Sequence, residues 1–148
     1  MPKRKITWIV MADGSRAVIV KRRDVEPGFA VIAELASDAT HVPAHLIGAE
    51  RPGRTQESHN SAHHAIEPRV DPHEARLTEF LRGVARRLNE DSAAKAFDRL
   101  ILFAPPRALG QLREMLDETT RGKIQAEAAK DLTKLPLEEL PKHLEMLP

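Results

Sequence analysis

The Asp13-Gly14 dipeptide is the feature that most constrains the fold of this chain, because it separates two β-branched apolar runs. Asp-Gly between such runs is a strong signal for a tight β-hairpin. A second turn signal, Pro27-Gly28, precedes a third apolar run. The sequence therefore predicts that the chain begins with three antiparallel strands, namely Ile6 to Ala12, Ser15 to Val20 and Phe29 to Leu35. Lys21-Arg22-Arg23 is predicted to mark the solvated end of the second strand.

A helix start is predicted at Asp71-Pro72-His73-Glu74. Asp71 would be the N-cap, Pro72 the first helical residue, and Glu74 the partner of Asp71 in a capping box. Apolar residues then recur at steps of three and four along one helix face, at Leu77, Phe80, Leu81, Val84 and Leu88. An amphipathic helix of this length gains most of its stability by burying such a face, so we expect it to pack on the sheet.

The rest of the chain predicts a strand at Phe97 to Ala104, a helix from Pro106 to Gly122, a strand within Lys123 to Lys130 and a short helical tail carrying Pro136 and Pro141. A crossover helix between strands favours parallel pairing. The expected fold is α/β with an α+β-like order. It is a mixed five-stranded sheet with an antiparallel three-stranded start and packed helices, in a ribonuclease-H-like arrangement. A length of 148 residues fits one domain, 1–148.

Composition excludes several classes of site. The absence of cysteine excludes disulfides and thiolate metal sites. Aromatic residues make up 3% of the chain, which leaves few rings for stacking on bases. The apolar run at Ile6 to Ala12 is too short for a spanning helix, so we expect no membrane insertion and a cytoplasmic protein. We also expect no cofactor.

Charge is distributed unevenly along the chain. The net charge is only +1, but residues 1–23 hold seven Lys and Arg residues against Asp13 alone. From Asp131 onward, carboxylates outnumber cations. The net charge thus commits the chain neither to nucleic acid nor to membrane, whereas the N-terminal strands are basic.

A long connection, 38–72, is predicted between the third strand and the first helix. It holds five of the seven histidines, and R-P-G-R-T-Q-E-S at Arg51 to Ser58 forms its centre. Connections of this length without regular structure are uncommon in compact domains and are often functional. Arg51, Arg54 and Arg69 could contact RNA phosphates. Carboxylates outnumber arginines there, and protonation near a histidine pKa of about 6.5 would reverse the sign of the charge, through His41, His45, His59, His63 and His64. A pH-dependent interaction and inert loop histidines both stay open.

Two metal hypotheses arise from the sequence. His59 and His63 are four residues apart and could share zinc on a helix, although no helix signal frames them, and we assign no metal site. A nuclease would need carboxylates converging on divalent metals. Asp13, Glu74 and Asp98 are the candidates, and structural roles in a turn, a cap and a strand start explain them better.

Five separated phrases resemble one bacterial family, that of proteins required for attachment to host cells. The phrases occur in order over nearly the whole chain: W-I-V-M-A-D-G-S-R-A at Trp8 to Ala17, R-P-G-R-T-Q-E-S at Arg51 to Ser58, E-P-R-V-D-P-H-E at Glu67 to Glu74, F-D-R-L-I-L-F-A-P-P-R-A-L-G at Phe97 to Gly110 and K-D-L-T-K-L-P at Lys130 to Pro136. The resemblance implies a phenotype and leaves the chemistry open.

The family is also distantly similar to the central domain of archaeal and eukaryotic peptide-release factors. In those factors a Gly-Gly-Gln loop between the third strand and the long helix promotes hydrolysis of peptidyl-tRNA. Here the same interval holds Gly53-Arg54-Thr55-Gln56, with one glycine and two residues before the glutamine. The resemblance implies Gln56 as the candidate catalytic residue, and a binding segment made of Arg51, Gly53, Arg54, Thr55, Gln56, Ser58 and Arg69.

Three functions follow as hypotheses. The first is a translation-associated module that presents residues 51–58 to RNA, with ribosome or tRNA as partner. The second is a protein–protein interaction domain that affects surface or host attachment indirectly. The third is esterase-type hydrolysis of aminoacyl- or peptidyl-tRNA. The sequence does not decide whether the chain is an enzyme.

Overall fold

A computed structural model describes residues 5–24, 28–37 and 71–147 of the chain. Helices and strands in these ranges follow the predicted order of three strands, helix, strand, helix, strand and short helices. Their bounds are β1 Ile6–Ala12, β2 Arg16–Arg23, β3 Ala30–Ala36, α1 Pro72–Ala93, β4 Arg99–Phe103, α2 Pro106–Met115, α3 Glu118–Arg121, β5 Ile124–Ala128, a 3-10 helix Leu137–Glu139 and α4 Leu140–Glu145.

The five strands form one mixed sheet in the order β3-β2-β1-β4-β5. β2 pairs antiparallel with both β1 and β3, whereas β4 pairs parallel with β1 and with β5. The mixed α/β sheet with an antiparallel start is therefore confirmed. The ribonuclease-H-like label stays a prediction.

The β1–β2 hairpin has Gly14 and Ser15 at its centre, and the Asp13 amide donates to the Arg16 carbonyl over 2.9 Å. Neither central residue has a positive φ, so the turn does not use the left-handed freedom that Asp-Gly turns commonly exploit. Gly14 serves another purpose. A Cβ atom there would lie 3.1 Å from Leu77 Cδ1 of α1, so glycine allows the helix to approach the hairpin closely.

One face of the sheet carries α1 and α2. Alternate residues of β1, such as Trp8 and Val10, point toward this side and are buried together with Leu81 and Leu88 of α1 and Leu112 of α2. The amphipathic pattern of α1 is thus confirmed, with Leu77 and Phe80 only partly buried at its margin. Trp8 also packs on Phe97, with ring centroids 4.7 Å apart.

The opposite face is covered by the C-terminal segment. Ile9 and Met11 of β1 and Phe103 of β4 pack there with Leu132 and with Leu140 of α4. Leu135, Leu137, Leu144 and Leu147 extend the same cluster from its margin. The leucines of the tail therefore contribute to a second, smaller core cluster.

Two predicted boundaries are wrong. The helix expected to run to Gly122 ends at Met115, because Leu116 is extended (ψ 141°) and the carboxylate of Asp117 caps a separate helix, α3. β2 continues beyond Val20 through Lys21-Arg22-Arg23, because these residues pair with Trp8, Thr7 and Ile6 of β1.

Within the described ranges, no helix has the length and apolar character needed to cross a membrane.

Candidate functional site

Four strand ends and two helix starts meet at one edge of the sheet. β1, β3, β4 and β5 all run in the same direction, since β1 and β3 are both antiparallel to β2. Their carboxyl ends therefore lie together, and α1 and α2 begin nearby. Ligand sites of open α/β sheets lie outside the carboxyl ends of the strands. We call this region the carboxyl edge and define it by Asp13, Ser37, Asp71, Glu74, Arg107, Asp131 and Thr133.

Ser37 and Asp71, the two described residues that flank the interval 38–70, both belong to the carboxyl edge. On one side, the amide of Ser37 donates to the carbonyl of Ser15 over 2.8 Å, which ties the end of β3 to the hairpin. On the other side, Asp71 caps α1 by accepting from the amide of His73 at 2.9 Å, with Pro72 at the start of the helix. The predicted helix start is thus confirmed.

Asp13 organises the hairpin side of the edge. Its Oδ1 atom accepts from the amides of Ser15 and Arg16, each over 2.7 Å. Its Oδ2 atom lies 3.3 Å from the hydroxyl of Thr133, which is 2.7 Å from Asp131 Oδ1. Because a hydroxyl has one proton, the shorter contact to Asp131 is the stronger hydrogen bond. This network fixes the β1–β2 turn to the segment that follows β5.

Glu74 does not complete a capping box, contrary to the sequence prediction. Its carboxylate instead forms an ion pair with the guanidinium of Arg107, in the first turn of α2. Arg107 lies within ion-pair distance of Glu74 and so competes with the backbone amide of Asp71 for the carboxylate. Farther along, the hydroxyl of Thr78 donates to Gln111 Oε1 over 2.9 Å. These contacts fix the first turns of α1 and α2 relative to each other.

The three acids considered for a nuclease do not converge. Asp13 follows β1, whereas Asp98 precedes the parallel strand β4 and accepts from the Ile6 amide through Oδ2 at 2.9 Å. The two acids therefore lie at opposite ends of the sheet, roughly 23 Å apart for seven residues at a rise of about 3.3 Å per residue. Among the residues in ranges 5–24, 28–37 and 71–147, no group of three His, Cys, Asp or Glu side chains could hold a metal ion.

In the described part of the carboxyl edge, the carboxylates connect neighbouring structural elements, and we call this network of contacts the frame. Its carboxylates accept from backbone amides, a hydroxyl or a guanidinium, and each contact joins two elements. A reaction centre would instead need a nucleophile and a base directed at a shared open space. The frame holds Ser37 and Asp71, which flank the 38–70 interval, at the same edge of the sheet.

The predicted binding and catalytic residues all fall within that interval, and so outside the described residues. They are Arg51, Gly53, Arg54, Thr55, Gln56, Ser58 and Arg69. The histidines considered for metal or pH sensing, including His59 and His63, lie outside the described residues as well.

The sequence analysis did not predict the Thr133 network. A local signal was present: in Asp131-Leu132-Thr133, Asp131 Oδ1 accepts from the Thr133 amide at 3.0 Å, as in an Asx turn. No sequence signal pointed to Asp13, 120 residues away. That contact forms because the segment after β5 packs on the same face of the sheet as Ile9 and Met11 of β1.

Comparisons with known proteins give a family and a fold. Residues 8–144 match the family described as "Protein required for attachment to host cells". A search of curated protein sequences returned no significant match. Among solved structures, the chain is similar to an archaeal translation termination factor, aRF1, with 16% identity and a TM-score of 0.54 over 95% of this chain and 34% of that one.

A second structure, of an archaeal protein, matches with 16% identity and a TM-score of 0.55 over 96% of this chain and 34% of the other. The chain thus spans about a third of the length of both structures. At this identity the likeness shows a shared fold with one part of each. The match over residues 8–144 establishes that the chain belongs to the family of proteins required for attachment to host cells.

Proposed function

We propose that this chain is a translation-associated module that presents residues 51–58 to the ribosome or to tRNA. The observation that carries the proposal is the likeness of its fold, over 95% of the chain, to part of an archaeal translation termination factor. Folds host many functions, so the residues in the equivalent position must carry the activity. In this sequence they are Gly53-Arg54-Thr55-Gln56, between β3 and α1.

The carboxyl edge supports the proposal through rigidity. Ser37 and Asp71 are held by hydrogen bonds to the hairpin and to α1, and the Glu74–Arg107 pair links the two helices beside them. Ser37 and Asp71 are the described residues that flank the interval holding residues 51–58. Arg51 and Arg54 then supply cations for phosphate contacts, and the amide of Gln56 supplies hydrogen bonds to RNA or to a bound water.

Binding is a better-supported activity than ester hydrolysis. The stretch Gly53-Arg54-Thr55-Gln56 holds one glycine, so it lacks the backbone freedom that a second glycine would give. A glutamine amide also has no base to offer, and general-base catalysis needs one within hydrogen-bond reach of the attacking water. Hydrolysis of aminoacyl- or peptidyl-tRNA by Gln56 remains a separate hypothesis with its own assay.

Co-sedimentation with purified ribosomes tests the proposal. The wild-type chain is expected to pellet with ribosomes, and Arg54→Ala is expected to weaken association about tenfold, because a charge-assisted hydrogen bond contributes roughly 1.5 kcal/mol. Gln56→Ala should weaken it less. Arg82→Ala is the matched control, since Arg82 lies on the exposed face of α1 and pairs with Glu79 at 2.9 Å.

Two outcomes would redirect the assignment. If the wild-type chain does not associate with ribosomes, the proposal fails. The second candidate, a protein interaction domain, is favoured by the family description, which names attachment to host cells. Peptidyl-tRNA release assays address hydrolysis independently: equal rates for the wild type and Gln56→Ala would exclude a catalytic role for that glutamine.

A further inference from the structure

The edge of the sheet opposite the carboxyl edge carries a cluster of cations. β1 and β4 begin there and β2 ends there, so basic residues that are distant in sequence lie on adjacent strands. We call this region the basic edge and define it by Lys5, Lys21, Arg22, Arg23 and Arg99. Among the described residues, Asp24 and Asp98 place carboxylates beside these strands, and Glu145 lies beside Arg22.

Strand register sets the spacing of the two central arginines. Arg22 of β2 and Arg99 of β4 both stand opposite Thr7 of β1, one on each side. Neighbouring strands are about 4.8 Å apart, so the two Cα atoms are separated by about 10 Å across the sheet. Both arginines share the face of Ile9, which the tail covers. Lys21 and Arg23, opposite Trp8 and Ile6, alternate to the other face. The basic edge therefore presents cations on both faces of the sheet.

The charge of the basic edge is only partly neutralised. Asp98 accepts from the Ile6 amide, and Asp24 Oδ1 lies 3.3 Å from Arg99 Nη1 in a pair that is more than one-third exposed. Exposed pairs of this kind are weak. Within the described ranges, Lys5, Lys21 and Arg22 form no ion pair. The guanidinium of Arg22 instead lies 6.0 Å from the ring centroid of Phe29.

The cations of α1 differ from those of the basic edge. Arg82 pairs with Glu79 and Arg87 with Asp91, at 2.9 and 2.7 Å within the same helix. The positive charge of α1 is thus balanced locally. Removing Arg82 and Arg87 would change the net charge as much as removing Arg22 and Arg99, which provides a matched comparison.

A cavity of about 380 Å³ adjoins Arg22 on the face that the tail covers. Gln125 of β5 and Leu144 of α4 line it, and Glu145 places a carboxylate on the same cavity. Glu145 is not within ion-pair distance of a cation among the described residues. Its negative charge would oppose an anion that approaches Arg22.

We propose that the basic edge binds the sugar-phosphate backbone of RNA. The proposal rests on the proposed function for the choice of RNA, and on the structure for the surface. Arginine donates to phosphate through two parallel N–H groups, and Arg22 and Arg99 can each engage a phosphate of the same RNA strand. An anionic membrane would favour cations on one flat face, whereas these cations occupy both faces of an edge. The chain would thus contact RNA through the basic edge in addition to residues 51–58, which the proposed function assigns to RNA.

The test is fluorescence anisotropy of a labelled single-stranded RNA with the purified full chain, repeated across a salt series. Replacing Arg22 and Arg99 together by glutamine should weaken binding to every RNA sequence, because phosphate contacts carry no sequence information. The slope of log K against log salt should become shallower by roughly 1.4, since each of the two lost phosphate contacts on a single strand removes about 0.7. Glu145→Gln should strengthen binding, which a merely structural role for the edge does not predict.

The control is the double variant Arg82→Gln with Arg87→Gln, and circular dichroism verifies that each variant is folded. An unchanged slope for the Arg22 and Arg99 variant would overturn the proposal, as would an equal change in the α1 control. Binding to phosphatidylglycerol vesicles but not to RNA would also overturn it. If the Arg22 and Arg99 variant binds RNA like the wild type while Arg54→Ala no longer associates with ribosomes, only the proposal for the basic edge is wrong. If the Arg22 and Arg99 variant loses RNA binding while Arg54→Ala associates with ribosomes like the wild type, the role proposed for residues 51–58 is wrong and the proposal for the basic edge is supported.

Discussion

Two buried threonines illustrate how much depends on a single hydrogen-bond partner. Thr133 is 7% exposed, and its hydroxyl has Asp131 at 2.7 Å and Asp13 at 3.3 Å. Thr7 is fully buried, and its hydroxyl has no hydrogen-bond partner in the described part of the chain. A buried hydroxyl without a partner costs free energy, whereas one bonded to a carboxylate contributes to stability.

The two threonines therefore respond oppositely to replacement by valine, which keeps the shape of the side chain. Thr133→Val is expected to lower the free energy of unfolding by about 1 to 2 kcal/mol, because it removes a hydrogen bond to a carboxylate. Thr7→Val should leave stability unchanged or raise it by up to about 1 kcal/mol. Urea denaturation measures both. Equal losses in the two variants would contradict the assigned partners.

At the level of elements, the C-terminal segment contributes Leu132 and Leu140 to the core cluster on one face of the sheet. Leu140 is fully buried under the sheet, and Met146 in the next turn is 68% exposed. Leu140→Ala is expected to cost about 2 to 4 kcal/mol of unfolding free energy, because it removes packing and leaves a cavity beside Ile9 and Phe103. Met146→Ala should cost less than about 0.5 kcal/mol. Thermal and urea unfolding would reveal whether the tail is instead peripheral, in which case both variants would behave alike.

The cap of α3 makes stability depend on pH in a defined direction. The pKa of Asp117 is lowered from its ordinary value of 3.8, chiefly by the backbone amide of Thr120, which donates to Oδ1 at 2.8 Å, and then by the Thr120 side chain. A carboxyl whose pKa is lowered in the folded state stabilises the protein above its unfolded pKa, and that contribution is lost as pH falls through the folded value.

Asp117→Ala should therefore lower the melting temperature most at neutral pH. The difference from the wild type should shrink as pH falls below 3.8, the ordinary pKa of Asp117. Glu118→Gln, which removes the adjacent charge without removing the cap, is the control. A difference that stays constant down to the lowest pH would mean that the ionised carboxylate does not provide the stabilisation.

For the whole molecule, sequence periodicity predicted the order of helices and strands. It did not predict features that depend on contacts between residues distant in sequence. β1 was predicted to the residue, and Asp71-Pro72 located the start of α1, because turn and cap signals are local. The break between α2 and α3 was missed because Asp117 can be helical or a cap, and Asn89 of α1, which accepts from the Asp117 amide at 3.0 Å, favours the cap. Glu74 was assigned to a cap because the sequence does not reveal that Arg107 lies beside it.

The basic edge also became visible only at the scale of the molecule. The sequence marks residues 1–23 as basic, but it cannot show that Arg99 joins them across β1. Strand pairing thus collects the cations at one edge of the sheet, while Ser37 and Asp71, which flank the 38–70 interval, lie at the other. Together the two proposals assign RNA contacts to the basic edge and to residues 51–58.

Association with purified ribosomes, measured by co-sedimentation at low and at raised salt, tests this account most directly. We predict that the wild-type chain pellets with ribosomes, that raised salt weakens the association because phosphate contacts release counterions, and that Arg54→Ala weakens it about tenfold while Arg82→Ala does not. A chain that stays in the supernatant at every salt concentration would contradict the account.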